Sequence, residues 1–331
     1  LSLHDALPIW LLVPLTVTGP LGEPVEAFYG LSGDRQCAFI EMAAASGLES
    51  VPPAQRNPLL TTSWGTGELI RHALDAGVRQ IIIGIGGSAT NDGGAGMAQA
   101  LGAKLLTAEG QQIASGGGAL ETLARIDLSE LDSRLADCRI DVACDVTNPL
   151  TGPQGASAVF GPQKGATAQM IDRLDSGLRH YARIIARDLD IDVLSLEGGG
   201  AAGGMGAALY AFCGAQLRPG IEIVTDALQL AERVADADLV ITGEGRIDSQ
   251  TIHGKVPVGV ARVAKRFNVP VIGIAGSLTA DVGVVHQHGL DAVFSVLYTI
   301  CTLDEALANA AANQRMTARN VAAVLQMGDR R

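Results

Sequence analysis

TGELIRHALDAGVRQIIIGIGGSATNDGGAG, residues 66–96, carries the two periodicities on which the fold reading turns. Leu69, Ile70, Ala73 and Leu74 fall on one face of a 3.6-residue helix, and Gly77 stands where the residue just past a helix end belongs. Directly after it, QIIIGIGG is an apolar run of the kind that a strand buried on both faces shows. Amphipathic helix followed by buried strand is the mark of an α/β layer. The run ends in Gly86 and Gly87, then Ser88, Thr90, Asn91 and Asp92 at the mouth of a helix expected to end near Leu101. Ligands of open α/β sheets gather at the carboxyl ends of strands, and a glycine turn before a helix offers free N–H groups to an anion. The same residues also read as a plain strand-to-helix turn with Asn91 or Asp92 as N-cap.

Outward from this stretch, TVTGPLGEPVEAFYGL and QCAFIEMA predict hairpin-like β structure on the N-terminal side. On the C-terminal side RIDVACDV predicts a second buried strand. Thr167 then caps a helix in which Met170, Ile171, Leu174, Leu178, Tyr181 and Ile185 recur at helical spacing. The last third alternates regularly: strand DLVITG, helix GKVPVGVARVAKRF, strand VPVIGIAG, helix DVGVVHQHG, strand DAVFSVL and a final helix opened by a Thr302/Glu305 capping box. Strand-helix-strand units of this length imply a parallel sheet with right-handed crossovers. With 331 residues, and roughly 150 per domain as a prior, two domains are expected.

A net charge of −11 with no long basic cluster excludes the electrostatic footprint of a nucleic-acid or acidic-membrane binder. The longest apolar run, near residues 7 to 15, contains two prolines and is too short to span a bilayer. Cys37, Cys138, Cys144, Cys213 and Cys301 are odd in number and widely spaced, so they read as small buried hydrophobes in a reducing cytoplasm.

Four further segments carry polar groups at strand ends or glycine turns. In TGEGRIDSQTIHGK, Glu244, Arg246, Asp248, His253 and Lys255 converge in one loop, and phosphoryl transfer needs carboxylates, cations and an orienting group together. A solvated loop whose charges pair with one another is the lesser alternative for the same residues. CDVTNPL places Asp145 and Asn148 at a strand end as oxygen donors suited to Mg²⁺, and GPQKGA places Lys164 before a helix. GGGAAGGMG, with Gly203 and Gly204, is a second backbone-exposing turn or a flexible connector, and Gly116 to Gly118 is expected as a surface loop. His286 and His288 are expected to be structural.

Together GGSATNDGGAG, CDVTNPL, GPQKGA, GGGAAGGMG, ITGEGRIDSQTIHGK and VIGIAGS resemble the bacterial type I glycerate kinases, motif for motif and in order, from about Val13 to the last helix. The resemblance implies a two-domain α/β protein: a discontinuous Rossmann-like parallel-sheet domain plus an inserted α/β domain, with the active site in the cleft. Residues 14–225 would be the inserted domain and 226–331 the Rossmann-like one. It further implies ATP with Mg²⁺, D-glycerate as acceptor and 2-phosphoglycerate as product. Carried over by motif, the catalytic set is Asp248, Lys255, His253 and Glu244, and the substrate and phosphate set is Gly86, Gly87, Ser88, Thr90, Asn91, Asp92, Lys164, Gly203 and Gly204. Asp145 and Asn148 are the expected metal ligands, with Asp145 or Asp248 nearest the metal and Lys255 or Lys164 on phosphate.

The family's opening strand with its Asp-Ser-(Tyr/Phe)-Lys motif, and its Gly-Gly-Glu-Gly loop, have no counterpart here, so residues 1–12 are expected to be a non-native leader. The C-terminal sheet is then expected to keep an open position. A kinase forming 3-phosphoglycerate, a phosphosugar isomerase-like enzyme and a non-enzymatic anion-binding regulator are the alternatives.

Overall fold

The computed structural model describes residues 9–328. The chain divides between Ile223 and Val224 into two compact units.

The first unit is built on a mixed six-stranded sheet. β1 (Ile9–Thr18) and β2 (Pro24–Ser32) form the expected hairpin, closed by a turn in which Gly19 N–H donates to Glu23 O. Ile9 to Leu12, assigned by sequence to the leader, continue β1, with Leu11 opposite Leu31 and Leu12 opposite Gly30. Leu1 to Pro8 lie outside the described residues. β3 (Cys37–Glu41) runs antiparallel to β2 and parallel to β4 (Gln80–Gly84). The antiparallel pair β5 (Lys104–Leu106) and β6 (Arg125–Asp127) stands apart, and β7 (Arg139–Ala143) and β8 (Gln216–Arg218) extend the parallel half. The order is β1-β2-β3-β4-β7-β8, so the carboxyl ends of β3, β4, β7 and β8 share one edge.

Side chains alternate along these strands as a sheet demands. Ala38, Ile40, Ile81, Ile83, Ile140 and Val142 enter one core together with Leu69, Ile70, Ala73 and Leu74 of the helix Trp64–Asp75. Fully burying each Ile or Leu of that set contributes roughly 1.5–3 kcal/mol. Gly77 ends the helix with φ +84, as its position predicted. Thr167 caps the helix Ala168–Leu189 through Oγ1, which accepts from Met170 N–H. The buried stripe of that helix runs from Leu174 to Ile185, while Met170 and Ile171 are only half-buried. The Gly116 to Gly118 run is no surface loop: Gly116 and Gly117 are buried, and their backbone packs on that of Pro58 to Leu60.

The second unit carries a three-stranded parallel sheet, β11-β10-β9, of β9 (Val240–Ile247), β10 (Val271–Leu278) and β11 (Ala292–Ser295). Its core is Val258, Ala261 and Ala264 of the helix Val256–Lys265 packed with Ile247, Val271, Ala275, Val285 and Leu290. Residues 282–288, expected as an α-helix, form a 3₁₀ helix, and His286 spends Nδ1 on Leu290 O. The Thr302/Glu305 capping box opens the helix Leu303–Ala308 as read from sequence, followed by the helix Ala310–Gly328. Among the described residues, no helix is long and apolar enough to cross a membrane.

Candidate functional site

The turn after β4 begins at the surface and then dives. Gly86 and Gly87 are exposed, whereas Ser88, Thr90, Asn91 and Asp92 are each at most 6% exposed. Two backbone bonds seat the turn against the segment after β3: Leu48 N–H donates to Gly87 O and Ala89 N–H to Ser46 O.

The helix that follows, Ala95–Ala100, starts three residues past Asp92, and its first amides are already satisfied. Asp92 accepts from Gly94 N–H at 3.1 Å, Gly96 N–H at 3.3 Å, Ser63 N–H at 2.9 Å and Ser63 Oγ at 2.8 Å. Met97 N–H donates to Ser63 Oγ. Those groups therefore cannot cradle a ligand; the backbone open to one lies earlier, at Gly86 and Gly87. Burial pushes the Asp92 carboxyl up, against the lowering effect of these bonds.

Lys164 sits in the 3₁₀ turn Pro162–Lys164, 1% exposed, and its Nζ donates to Ser88 Oγ at 2.7 Å and Thr90 O at 2.6 Å. Burial lowers its pKa to about 7, and the Asp92 carboxylate acts in the opposite sense. An ammonium so enclosed does not present itself to a phosphate. Asn91 Nδ2 donates to Ser157 Oγ, while Thr90 Oγ1, Asn91 Oδ1 and Tyr181 OH are buried with no hydrogen-bond partner among the described residues.

Gly203 and Gly204 lie within the helix Ala201–Cys213 at left-handed dihedrals, φ +69 and +94. A Cβ at Gly203 would meet Thr90 O at 2.1 Å, and one at Gly204 would meet Gly93 Cα at 2.8 Å. These glycines are buried, and close packing against the 90–93 backbone explains them without any ligand.

At the end of β7, Asp145 is exposed and accepts Gly220 N–H at 2.8 Å from the segment after β8. Asn148 donates Nδ2 to Gln154 O, which leaves Oδ1 as its acceptor. Both therefore stand on the strand-end edge that carries Gly86 and Gly87.

In the second unit β9 extends through Ile247, so Glu244 and Arg246 are strand residues rather than loop residues. Asp248, at 4% exposure, binds Arg246 through Oδ2, with N···O distances of 2.9 Å from Nε and 2.8 Å from Nη2. Its Oδ1 accepts Gln250 N–H at 2.9 Å and lies 3.5 Å from Lys255 Nζ. The Arg246 guanidinium beside it, first among several partners, holds the carboxyl below its ordinary range. Thr251 Oγ1 donates to Glu244 Oε1 at 2.6 Å and accepts from Asp248 N–H. His253 is exposed. Lys255 is the N-cap of the helix Val256–Lys265, and no side chain caps that end.

Ser63, Ser157 and Thr251, which position Asp92, Asn91 and Glu244, escape a reading of the sequence. Ser63 alone gave a signal, as a serine one residue before a helix.

The family model described as "Glycerate kinase family" matches residues 2–326. The chain is 67% identical to the glycerate 2-kinase of Escherichia coli K12, covering 95% of this chain and 82% of that protein. It is 58% identical to the glycerate kinase of Bacillus subtilis 168, covering 96% and 83%. The crystal structure described as glycerate kinase 2 from Salmonella typhimurium LT2 superposes with a TM-score of 0.86 at 75% identity, covering 97% of this chain and 84% of that one. Identity of this order along nearly the whole chain, with the motifs intact, settles descent: the chain belongs to the glycerate kinase family.

Proposed function

We propose that this chain transfers the γ-phosphate of ATP to the 2-hydroxyl of D-glycerate. As a glycerate kinase it is a phosphotransferase acting on a small molecule, with ATP as donor. The choice of the 2-hydroxyl rests on the likeness to the E. coli glycerate 2-kinase.

The observation that carries the reading is the Glu244 to Lys255 segment. Lys255 and Arg246 are cations fixed from behind by one carboxylate, and Lys255 stands at the positive end of a ten-residue helix. A transferring phosphoryl group needs such prearranged positive charge, because its catalysis is positioning and electrostatics. Asp248, with a lowered pKa and both oxygens engaged, is a weak base and serves here as the anchor of the two cations. His253 and Glu244 remain the groups for orienting the attacking hydroxyl. In the reaction the glycerate oxygen bonds to the γ-phosphorus, the bond to the bridging oxygen of ADP breaks, and the hydroxyl proton leaves to base or solvent.

In the first unit the exposed Gly86–Gly87 backbone suits an anionic group of substrate or nucleotide. Mg²⁺ commonly takes one or two carboxylates beside phosphate and water oxygens. Among the described residues no three His, Cys, Asp or Glu side chains gather as a cage, and the pair Asp145 and Asn148 fits the smaller contribution. Bound there with nucleotide, Mg²⁺ would neutralise phosphate charge.

The test is incubation with ATP, Mg²⁺ and D-glycerate, with ADP release and ³¹P NMR of the product. A signal of 2-phosphoglycerate is expected. A product of 3-phosphoglycerate alone removes the regiochemistry, and transfer to glycerol or sugars without transfer to glycerate removes the substrate.

A further inference from the structure

We propose that Lys164 is a positioning residue: from inside the first unit it fixes the exposed Gly86–Gly87 turn through Ser88 and Thr90, and so tunes the affinity of that turn for an anionic ligand. The inference deepens the glycerate kinase reading and rests on it for the identity of the ligand.

Lysine is almost never buried without a reason that offsets desolvation. Here the offset is a pair of bonds to residues 76 and 74 positions earlier, both on the turn that begins at Gly86. The rest of the turn does not satisfy itself. Thr90 Oγ1 and Asn91 Oδ1 have no partner among the described residues, and beside the backbone bonds from Leu48 N–H to Gly87 O and from Ala89 N–H to Ser46 O it is the amine that holds Ser88 Oγ and Thr90 O. The Pro162–Lys164 turn thus acts as a strut under backbone that stays open to solvent.

The strut is sensitive to charge. The Asp92 carboxyl works against burial to favour its protonated form, and the Tyr181 phenol, on the helix Ala168–Leu189, is pushed up by burial and then by Asp92. Lys164 titrates at about 7, so it changes charge in the neutral range. Protonated, it makes charge-assisted bonds to Ser88 and Thr90 and adds positive potential behind Gly86 and Gly87. Neutral, it keeps enough N–H groups for both bonds but loses the charge. Affinity for an anion at the turn should therefore fall as pH rises through about 7.

Two measurements on the intact chain test this, one needing no activity. Amide resonances of Gly86 and Gly87, followed by NMR from pH 5.5 to 9, should titrate near pH 7 in the wild type and lose that step in Lys164→Met. In steady-state assays the wild-type KM for D-glycerate should rise about tenfold across the neutral range while kcat changes little. Lys164→Met should raise KM about tenfold at low pH and flatten its pH profile, a split that merely structural damage would not give. Should Lys164→Met not fold, Ser88→Ala, which removes one acceptor and no charge, should keep the amide titration but move its midpoint. Amides that ignore pH in the wild type, or a Lys164→Met enzyme with the wild-type KM profile, overturn the proposal. Amides that titrate as expected in a protein that does not phosphorylate glycerate would uphold the strut and overturn the reading beneath it.

Discussion

The turn after β4 and the segment from Glu244 to Lys255 look alike as sequence, since each puts glycines, hydroxyls and acids at the end of a parallel strand. Folded, they differ in kind. Ser88, Thr90, Asn91, Asp92 and Lys164 are all buried, and their partners come from far along the chain: Ser63 for Asp92, Ser157 for Asn91, and Lys164 for Ser88 and Thr90. Arg246 and Lys255 are held by Asp248, and Glu244 by Thr251, at separations of no more than seven residues, and of the four charged residues only Asp248 is buried. The first segment is a rigid support whose open part is two glycines. The second is a set of charges left near solvent, where they can meet a ligand.

The sharpest way to break this comparison is to add one methyl to each. Gly203→Ala puts a Cβ at 2.1 Å from Thr90 O on a left-handed backbone, so the first unit must distort, at a cost of more than about 3 kcal/mol. Gly245→Ala in β9 meets nothing within 4 Å and should stay within about 0.5 kcal/mol of wild type. Thermal melting of the two variants measures the difference. Equal melting points would mean that the two segments are equally tolerant and that the contrast is false.

Next comes function without stability. Lys255→Ala removes a 42% exposed cation from the helix N-cap, so the melting point should barely move. Turnover should fall by about two to three powers of ten if the ammonium meets the transferring phosphoryl group. A fall confined to KM would relocate Lys255 to ground-state binding, and unchanged kinetics would return the segment to a solvated loop.

This contrast also marks what the sequence could reveal. Local patterns were legible: the Leu69, Ile70, Ala73 and Leu74 face, the β1-β2 hairpin, the Thr167 and Thr302 caps, and the parallel order of β9, β10 and β11. The nearness of Glu244 to Lys255 was legible too, since these residues are neighbours in the chain, but not that β9 carries Glu244 and Arg246. What stayed hidden depends on distant contacts. The lysine in GPQKGA reads as a cation before a helix, free to meet phosphate, until Ser88 and Thr90 arrive to engage and bury it. Gly203 and Gly204 read as a ligand loop until the 90–93 backbone lies against them. The helix after Asp92 reads as an open anion site because nothing local shows that Ser63 and Asp92 consume its amides.

A milder probe compares how the two segments respond to pH. For Lys164 the folded pKa of about 7 lies below its ordinary 10.5. Between these values the unfolded chain binds more protons than the folded one, so stability from this group rises with pH across that window. Lys164→Met should therefore gain most over wild type at or below pH 7 and lose that advantage toward pH 10. Denaturant titrations at pH 6.5 and 9.5 read it directly, and a difference between the two proteins that does not depend on pH would show that Lys164 does not titrate as its burial requires.

The smallest expected effect lies in the second unit, at Asp248. Its folded pKa is lowered below the ordinary 3.8 by Arg246, Gln250 N–H and Lys255, so its ionised form stabilises the fold above that ordinary value. That stability is lost as pH falls through the lowered folded pKa. Asp248→Asn keeps the shape and removes the charge, and should lower the melting point slightly at pH 7. The deficit should shrink toward zero in strong acid, where the wild-type carboxyl is protonated as well. Because the carboxylate aligns Arg246 and Lys255, turnover at pH 7 should drop more than stability does, by about tenfold, with Lys255→Ala adding less in the double variant than alone. Additive losses in that cycle would mean that Asp248 and Lys255 act separately, and the anchored pair of cations would no longer be the feature that sets this segment apart from the sealed turn after β4.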